Sequence, residues 1–252
     1  KVKDPEYFQE NRLPAHSDHV FYPDMEALKR KENSFRYSLN GLWKFAYARN
    51  YHSVIKGFWS ADYDCRSWED IRVPAHIQLE GYDIPQYVNV QYPWDGREQI
   101  EPGQIPEEFN PAACYVKYFR VPESMKEGPV YISFQGVESA LALWCNGSFV
   151  GYGADSFTPS EFDLTPFLRE GENKLAAVVF KWCAGSWCED QDFFRFSGIF
   201  RDVYLYTVPG VHIRDLKVRT LLNDSFDRAV LALDLELTGK GRIAALLYRE
   251  GE

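Results

Sequence analysis

The chain has 252 residues, of which 45% are hydrophobic and 26% are charged, and its formal net charge is −9 at pH 7. This length can bury the core of one large domain, or of one and a half ordinary ones. The acidic balance and the absence of a Lys/Arg run exclude binding to a nucleic-acid backbone. No apolar stretch is long enough to span a membrane, so we expect a soluble protein.

The cysteines predict a reducing compartment. There are five of them, at positions Cys65, Cys114, Cys145, Cys183 and Cys188. They form neither a CxxC pair nor a Cys/His spacing typical of zinc. An odd and scattered set predicts reduced, mostly buried thiols. This favours a cytoplasmic location, with the periplasm as the alternative.

The first half of the chain contains an arm, one clear strand and a long loop. Residues 1–36 lack periodicity and predict an extended N-terminal arm with one helical turn around Asp24–Lys31. The alternating bulky residues of 38–47 predict a turn and a strand. The segment 74–111 is rich in Pro, Gly and Tyr, which predicts long ordered loops. Loops of that length in a compact domain are usually functional.

Clear strand patterns follow. Residues 130–135 alternate, and 141–145 and 148–152 flank Asn146-Gly147, a strong hairpin signal. Residues 174–182 are apolar on both faces, as in a central strand, and 199–206 predict another strand. Turn residues between these strands indicate an antiparallel sandwich.

A second domain is predicted to begin after Pro209-Gly210. Its strands are expected over residues 211–222, 229–237 and 244–249. Three strands cannot close an immunoglobulin-like sandwich, which needs about a hundred residues. We therefore expect the chain to be a fragment.

Four segments carry a family resemblance. They read PAHIQLEGYDIPQYVNVQYP (74–93), WCNGSFVGYG (144–153), PSEFDL (159–164) and EDQDFFRFSGIFRDV (189–203). They resemble the β-galactosidases of glycoside hydrolase family 2, in order from about Asn11 onward. The related β-glucuronidases share LNGLW (39–43) and the Asn-Gly hairpin but differ at the NVQYP and DQD segments. The β-galactosidases are therefore the favoured match.

The resemblance implies an all-β fold class with two domains. A jelly-roll (galactose-binding-like) β-sandwich over 37–208 would bind sugar, and a partial immunoglobulin-like β-sandwich would begin over 211–252. The family's catalytic carboxylates lie in a (β/α)8 barrel that this chain lacks. It follows that the full-length protein would hydrolyse terminal β-D-galactosides such as lactose, whereas this segment alone would be inactive. The family also implies homo-oligomers, to which the arm would contribute.

The same resemblance places three residues at a substrate pocket. Asn89 and Val90 fall on family positions that contact galactose, and Asp192 falls on the aspartate that reaches galactose and a sodium ion. An amide both donates and accepts, which suits a sugar hydroxyl, and hard cations take oxygen ligands. The remaining sodium ligands would come from outside this chain. Sodium and magnesium are implied for the full-length enzyme, with no cofactor in this fragment.

The acidic run 189–192 has three interpretations. The first is a solvated loop, the second is substrate and cation binding, and the third is a catalytic carboxylate pair. The run lacks every other hallmark of catalysis, and its residues alone favour the solvated loop. The resemblance implies substrate and cation binding for Asp192. Arg195 and Arg201 are expected to form ion pairs with the acidic run. A free-standing carbohydrate-binding module and a β-glucuronidase domain remain the alternative functions.

Overall fold

The computed structural model describes residues 1–189 and 192–248, and within them the chain is built almost entirely from strands. In chain order the elements are β1 (Gln9–Glu10), α1 (Met25–Arg30), β2 (Arg36–Ser38), β3 (Gly41–Ala48), β4 (Glu69–Val73), β5 (Gln86–Val88), β6 (Ala112–Arg120), β7 (Tyr131–Phe134), β8 (Val137–Glu138), β9 (Ala140–Cys145), β10 (Ser148–Gly153), β11 (Ser160–Asp163), β12 (Glu172–Phe180), β13 (Phe193–Arg195), β14 (Gly198–Ile199), β15 (Val203–Tyr206), β16 (Ile213–Leu222) and β17 (Ala229–Leu237). Short 3-10 helices span Tyr51–Ser53, Ile77–Glu80, Glu123–Met125, Thr165–Phe167 and Ala184–Trp187. The predicted all-β class is confirmed.

The chain divides into two compact units. The first contains residues 1–13 and 34–207, and the second contains residues 14–33 and the chain from 208 onward. The segment 1–36, expected as one arm, is therefore shared between the units. Its first part pairs with the sandwich, because Gln9 and Glu10 lie opposite Gly153 and Tyr152 in an antiparallel ladder.

The first unit is a β-sandwich of two antiparallel sheets. The larger sheet has the strand order β1-β10-β9-β12-β6-β3-β4, and the smaller one has the order β11-β7-β15-β2. Side chains from both sheets fill one buried cluster, in which Trp43 of β3 meets Phe134 of β7 with ring centroids 6.5 Å apart. Two sheets that bury their inner faces against each other form a stable layered core.

Strand β12 occupies the centre of the larger sheet, as predicted. It pairs with β6 on one side and with β9 on the other. Leu175 and Val179 point into the core between the sheets, whereas Ala176 and Val178 point into a second cluster on the opposite face. Burial on both faces explains why this segment is apolar throughout.

The hairpin between β9 and β10 turns at the predicted dipeptide. Asn146 and Gly147 have φ angles of 51° and 92°, so both lie in the left-handed region. A two-residue turn with two positive φ angles matches the twist of its strands and favours Asn-Gly. The sequence therefore fixes the position of this turn locally.

The second unit contains α1 and a long hairpin. Asp24 caps α1 by accepting a hydrogen bond from the Ala27 amide at 2.8 Å, which confirms the predicted helical turn. Strands β16 and β17 form the hairpin. His19 joins the hairpin to the segment before α1, because its Nε2 lies 2.9 Å from the Ile213 carbonyl oxygen.

The prediction of a strand over residues 244–249 is wrong for those of its residues that the structure describes. Residues 244–248 form no strand, and Arg249 lies outside the described residues. Leu246 and Leu247 are 70% and 82% exposed, so their apolar pattern finds no partner in the described part of the chain.

No helix among the described residues is long and apolar enough to cross a membrane.

Candidate functional site

The three predicted site residues lie at one end of a two-stranded ribbon. This site ribbon consists of β5 and β13, which pair antiparallel with Val88 opposite Phe193. Asn89 and Val90 directly follow β5, and Asp192 directly precedes β13. The pairing therefore brings together residues that are more than a hundred positions apart. We call Asn89, Val90 and Asp192 the tip of the site ribbon.

Tyr87 contacts one polar residue of the tip. Its hydroxyl donates a hydrogen bond to Oδ1 of Asp192. That bond is the largest cause that raises the pKa of Tyr87. Since side chains alternate along a strand, residues 87 and 89 share one face of the ribbon. The sequence analysis missed Tyr87, although this two-residue spacing was the available signal.

Two aromatic rings flank these polar groups. Tyr87 and Phe194 are directly opposite each other in the ladder, with ring centroids 5.6 Å apart in an edge-to-face arrangement. Their side chains are 54% and 52% exposed. The outer face of the ribbon thus offers aromatic surface beside a carboxylate and an amide. That combination suits a sugar ring, which has apolar C–H faces and polar hydroxyls.

The tip is open to solvent. Asn89 and Asp192 are exposed, and Val90 is 89% exposed. Val90 thus contributes an apolar surface outside the core. Since exposed groups do not lose hydration on folding, the amide and the carboxylate remain able to bond a ligand or another part of a longer protein.

The acidic run divides into separate environments. Glu189 is partly buried and accepts a hydrogen bond from Ser156 Oγ at 3.1 Å. Burial is the main cause that raises the pKa of Glu189. Asp192 is exposed, whereas Asp190 and Gln191 lie outside the described residues. Glu189 and Asp192 thus have different surroundings and different partners.

The two arginines expected to pair with this run behave differently. Arg195 is buried, and its Nη1 donates to the backbone carbonyl of Glu189, so it does hold the segment. Arg201 Nη1 instead donates to the Phe157 carbonyl at 2.6 Å. Within the described part of the acidic run, Arg201 forms no ion pair, so the expectation for Arg201 is wrong there, and its guanidinium bonds a backbone carbonyl instead.

A buried carboxyl lies close to the same segment. Glu138 of β8 is 5% exposed, and burial, followed by the charge of Glu189, raises its pKa to about 8. Lys181 and Arg195 oppose that increase. Burial thus favours the protonated form of Glu138, which is distinct from the exposed groups of the tip.

The described residues contain no group of three or more His, Cys, Asp and Glu side chains placed to hold a metal ion. Asp192 can supply one oxygen ligand, since only its Oδ1 accepts from Tyr87. Cation sites of this chemistry need several oxygen ligands. One carboxylate oxygen is therefore too few to form such a cation site on its own.

The tryptophans near the loops mostly support the core. Trp94 and Trp182 are each 2% exposed and meet edge-to-face at 5.8 Å. Trp187 is partly buried against Trp94, with centroids 4.9 Å apart. Trp94 and Trp182 thus pack in the interior. The five cysteines are all free, and Cys188 is the exposed one.

Comparison with known proteins identifies the family of the chain. The family profile described as "Glycosyl hydrolases family 2, sugar binding domain" matches residues 36–209. Over 237 residues the chain is 55% identical to a β-galactosidase of Halalkalibacterium halodurans, covering 94% of this chain and 23% of that protein. Over 251 residues it is 48% identical to a β-galactosidase of Clostridium acetobutylicum, covering 99% of this chain and 28% of that protein.

A solved structure shares the fold. A β-glucuronidase from an uncultured Clostridium sp. aligns with a TM-score of 0.58 at 23% identity, covering 88% of this chain and 36% of that chain. At this identity the likeness shows the fold alone.

The fold is a β-sandwich that carries an exposed ribbon with polar groups and two flanking aromatic rings. The chain belongs to glycoside hydrolase family 2 and contains the sugar-binding domain of that family. It spans about a quarter of the two β-galactosidases that it matches, 23% of one and 28% of the other.

Proposed function

We propose that this chain is the N-terminal part of a β-galactosidase that hydrolyses terminal β-D-galactosides such as lactose. Its role is to form one wall of the substrate pocket, while the catalytic carboxylates lie in a part of the enzyme beyond this chain. The observation that carries the proposal is the pairing of β5 with β13, which places Asn89 and Asp192 at one exposed end of the site ribbon, where Tyr87 is bonded to Asp192.

Each group at the tip has a distinct part in binding. The Asp192 carboxylate accepts from sugar hydroxyls, and Tyr87 holds one of its oxygens. The Asn89 amide can donate to one hydroxyl and accept from another. Phe194 gives the C–H face of a sugar an aromatic surface. These contacts orient a galactosyl group without breaking its glycosidic bond.

Retaining hydrolysis needs two carboxyl groups about 5 Å apart, one as nucleophile and one as acid/base. Glu189 is partly buried and bonded to Ser156, whereas Asp192 is exposed and bonded to Tyr87. Their separate partners support assigning the bond-breaking step to residues outside the chain. A sodium ion shared with that part would add a positive charge that coordinates sugar oxygens.

Three further parts of the proposal rest on the family resemblance. The full-length enzyme uses magnesium as well as sodium, it assembles as a homo-oligomer, and it is cytoplasmic. Their tests are metal depletion with activity as the readout, analytical ultracentrifugation, and cell fractionation.

The central test compares the chain with the full-length gene product. Both are assayed on a nitrophenyl β-galactoside and on the matching β-glucuronide. We expect turnover of the galactoside by the longer protein only. Turnover by the repurified chain would place catalysis in residues 1–252, and turnover of the glucuronide alone would favour a β-glucuronidase.

A second candidate function is a carbohydrate-binding module. It is favoured by a groove of about 580 Å³ whose lining includes Trp59, Trp144 and Phe149. The rings of Trp59 and Trp144 stack 4.9 Å apart at 16°. Calorimetric titration of the chain with lactose distinguishes the two. Tight binding that Trp144→Ala removes and Asp192→Ala leaves intact would support the module.

A further inference from the structure

One side chain joins the two strands of the site ribbon at the end away from the tip. Gln78 lies in the 3-10 helix Ile77–Glu80 and is 6% exposed. Its Nε2 donates to Asp83 Oδ2 and to Ser197 Oγ, both at 2.9 Å. Its Oε1 accepts from the Ser197 amide at 3.0 Å. Asp83 leads into β5 and Ser197 follows β13, so one amide fixes both ends.

A buried lysine anchors this arrangement to the larger sheet. Lys181 directly follows β12, is 1% exposed, and forms an ion pair with Asp83. Since β12 lies between β6 and β9, it is held by ladders on both edges. The ribbon is thereby tied to the best-supported strand of the sandwich. We call Gln78, Asp83, Lys181 and Ser197 the base of the site ribbon.

The buried ion pair of the base adds little net free energy to the stability of the fold, because its desolvation offsets its attraction. Burial lowers the pKa of Lys181, and the charge of Asp83 opposes that shift. Replacing a buried ion pair by apolar residues is often neutral or stabilising. Polar groups of this kind are better explained by the geometry that they impose. Here that geometry is the separation and the angle of β5 and β13.

The tip has little support of its own. Asn89 and Asp192 are exposed, and the ladder that carries them has only three residue pairs. A short ladder with exposed ends leaves its geometry to the segments that anchor it. The distance between the amide and the carboxylate is therefore set at the base.

We propose that Gln78, together with Asp83 and Lys181, positions the tip for galactoside binding. These are positioning residues, since they act through the two strands and do not touch the sugar. The proposal rests on the proposed function, because it assigns the tip to the substrate pocket. Loosening the base lowers the fraction of enzyme with a correctly spaced tip, which weakens ground-state and transition-state binding together.

The test uses the full-length enzyme with Gln78→Leu and Lys181→Met. Lys174→Met is a matched control, since Lys174 also belongs to the β12 region and is 1% exposed. Its Nζ donates to the carbonyls of Phe58, Ser60 and Tyr63 instead of to the ribbon. Steady-state kinetics on a nitrophenyl β-galactoside give KM and kcat separately.

We expect Gln78→Leu and Lys181→Met to raise KM about tenfold with kcat nearly unchanged, and Lys174→Met to leave KM at the wild-type value. Hydrogen exchange should accelerate in residues 84–90 and 192–197 for the first two variants only. A milder variant, Gln78→Met, is measured alongside in case Gln78→Leu does not fold.

Two results would overturn the proposal. One is a wild-type KM in folded base variants, and the other is an equal rise of KM in the Lys174→Met control. Asp192→Ala is assayed in parallel, so that a failure of the positioning role is distinguished from a failure of the proposed function. If Asp192→Ala impairs the enzyme while the base variants do not, only the positioning role is wrong. If Asp192→Ala is also silent, the pocket assignment itself is wrong.

Discussion

At the tip of the site ribbon the polar side chains face solvent, whereas at its base they are enclosed. Asp192 is exposed, and Lys181 and Ser197 are 1% and 2% exposed. Both ends contain charged and amide groups. At the base these groups are enclosed and bond the segments that flank the two strands, whereas at the tip they are exposed and remain able to bond a ligand. Removing one partner from the base leaves a buried group unsatisfied, whereas removing a tip residue leaves only water in its place. Base variants should therefore lose both stability and binding, whereas tip variants should lose binding alone.

The largest expected effect is on stability at the base. Lys181→Ala leaves the Asp83 carboxylate buried without its cation, and breaking such a pair costs about 3–5 kcal/mol. Urea unfolding of the 252-residue chain measures this loss in the free energy of unfolding. Lys126→Ala is the control, because Lys126 pairs with Glu123 at the surface, where a change within about 0.5 kcal/mol is expected. A loss below about 1 kcal/mol for Lys181→Ala would contradict the difference between base and tip.

Substitutions at the tip should act on activity and leave stability unchanged. In the full-length enzyme, Asp192→Ala should lower kcat/KM by about tenfold to a hundredfold, as expected for a lost hydrogen bond to a charged group. Asn89→Ala should give a smaller loss in the same direction. Asp224→Ala, in the turn between β16 and β17, is the control. Wild-type kinetics in both tip variants would remove these residues from the pocket.

A buried carboxyl beside the base allows a test by pH. The folded pKa of Glu138 is raised to about 8. The unfolded chain releases this proton near pH 4.5, so the free energy of unfolding falls as pH rises from about 4.5 to 8 and then levels off.

Glu138→Gln should remove that decline, which is about 2.5 kcal/mol between pH 5 and pH 7 for pKa values of 4.5 and about 8. Thermal or urea unfolding at the two pH values measures it. The groups whose charges act on Glu138 are Glu189, Arg195 and Lys181. An identical pH slope in the variant and the wild type would show that Glu138 is ionised in the fold.

Local features of the fold could be predicted from the sequence. The Asn146-Gly147 turn, the alternating strands and the doubly buried β12 each depend on residues within a few positions of one another. The strand expected over 244–249 shows the limit of this reasoning. An alternating apolar pattern becomes a strand only where a neighbouring strand pairs with it, and residues 244–248 have no such neighbour among those described.

The site could be predicted only in part. The family resemblance identified Asn89, Val90 and Asp192 as site residues. Their proximity depends on the pairing of β5 with β13. Tyr87 and Asp192 are 105 positions apart, and no local pattern predicts such a contact. The same applies to the base, where Gln78 and Ser197 are separated by 119 positions.

The smallest expected effect concerns the contact that the sequence did not reveal. Tyr87→Phe keeps the ring that meets Phe194 and removes the hydroxyl that holds Asp192. We expect about a threefold loss of kcat/KM in the full-length enzyme, below the range of a hydrogen bond to a charged group because Asp192 itself remains, and no change in the unfolding midpoint. Tyr37→Phe, at a 44% exposed tyrosine of β2, is the control.

Combining Tyr87→Phe with Asp192→Ala tests whether the Tyr87 hydroxyl acts only on Asp192 or also bonds the sugar. If the hydroxyl only orients Asp192, then Tyr87→Phe combined with Asp192→Ala should be no worse than Asp192→Ala alone, because interacting residues are not additive. If Tyr87 also bonds the sugar directly, the double variant should lose a further factor. The double-mutant cycle therefore decides whether the tip has two ligand-binding groups or three.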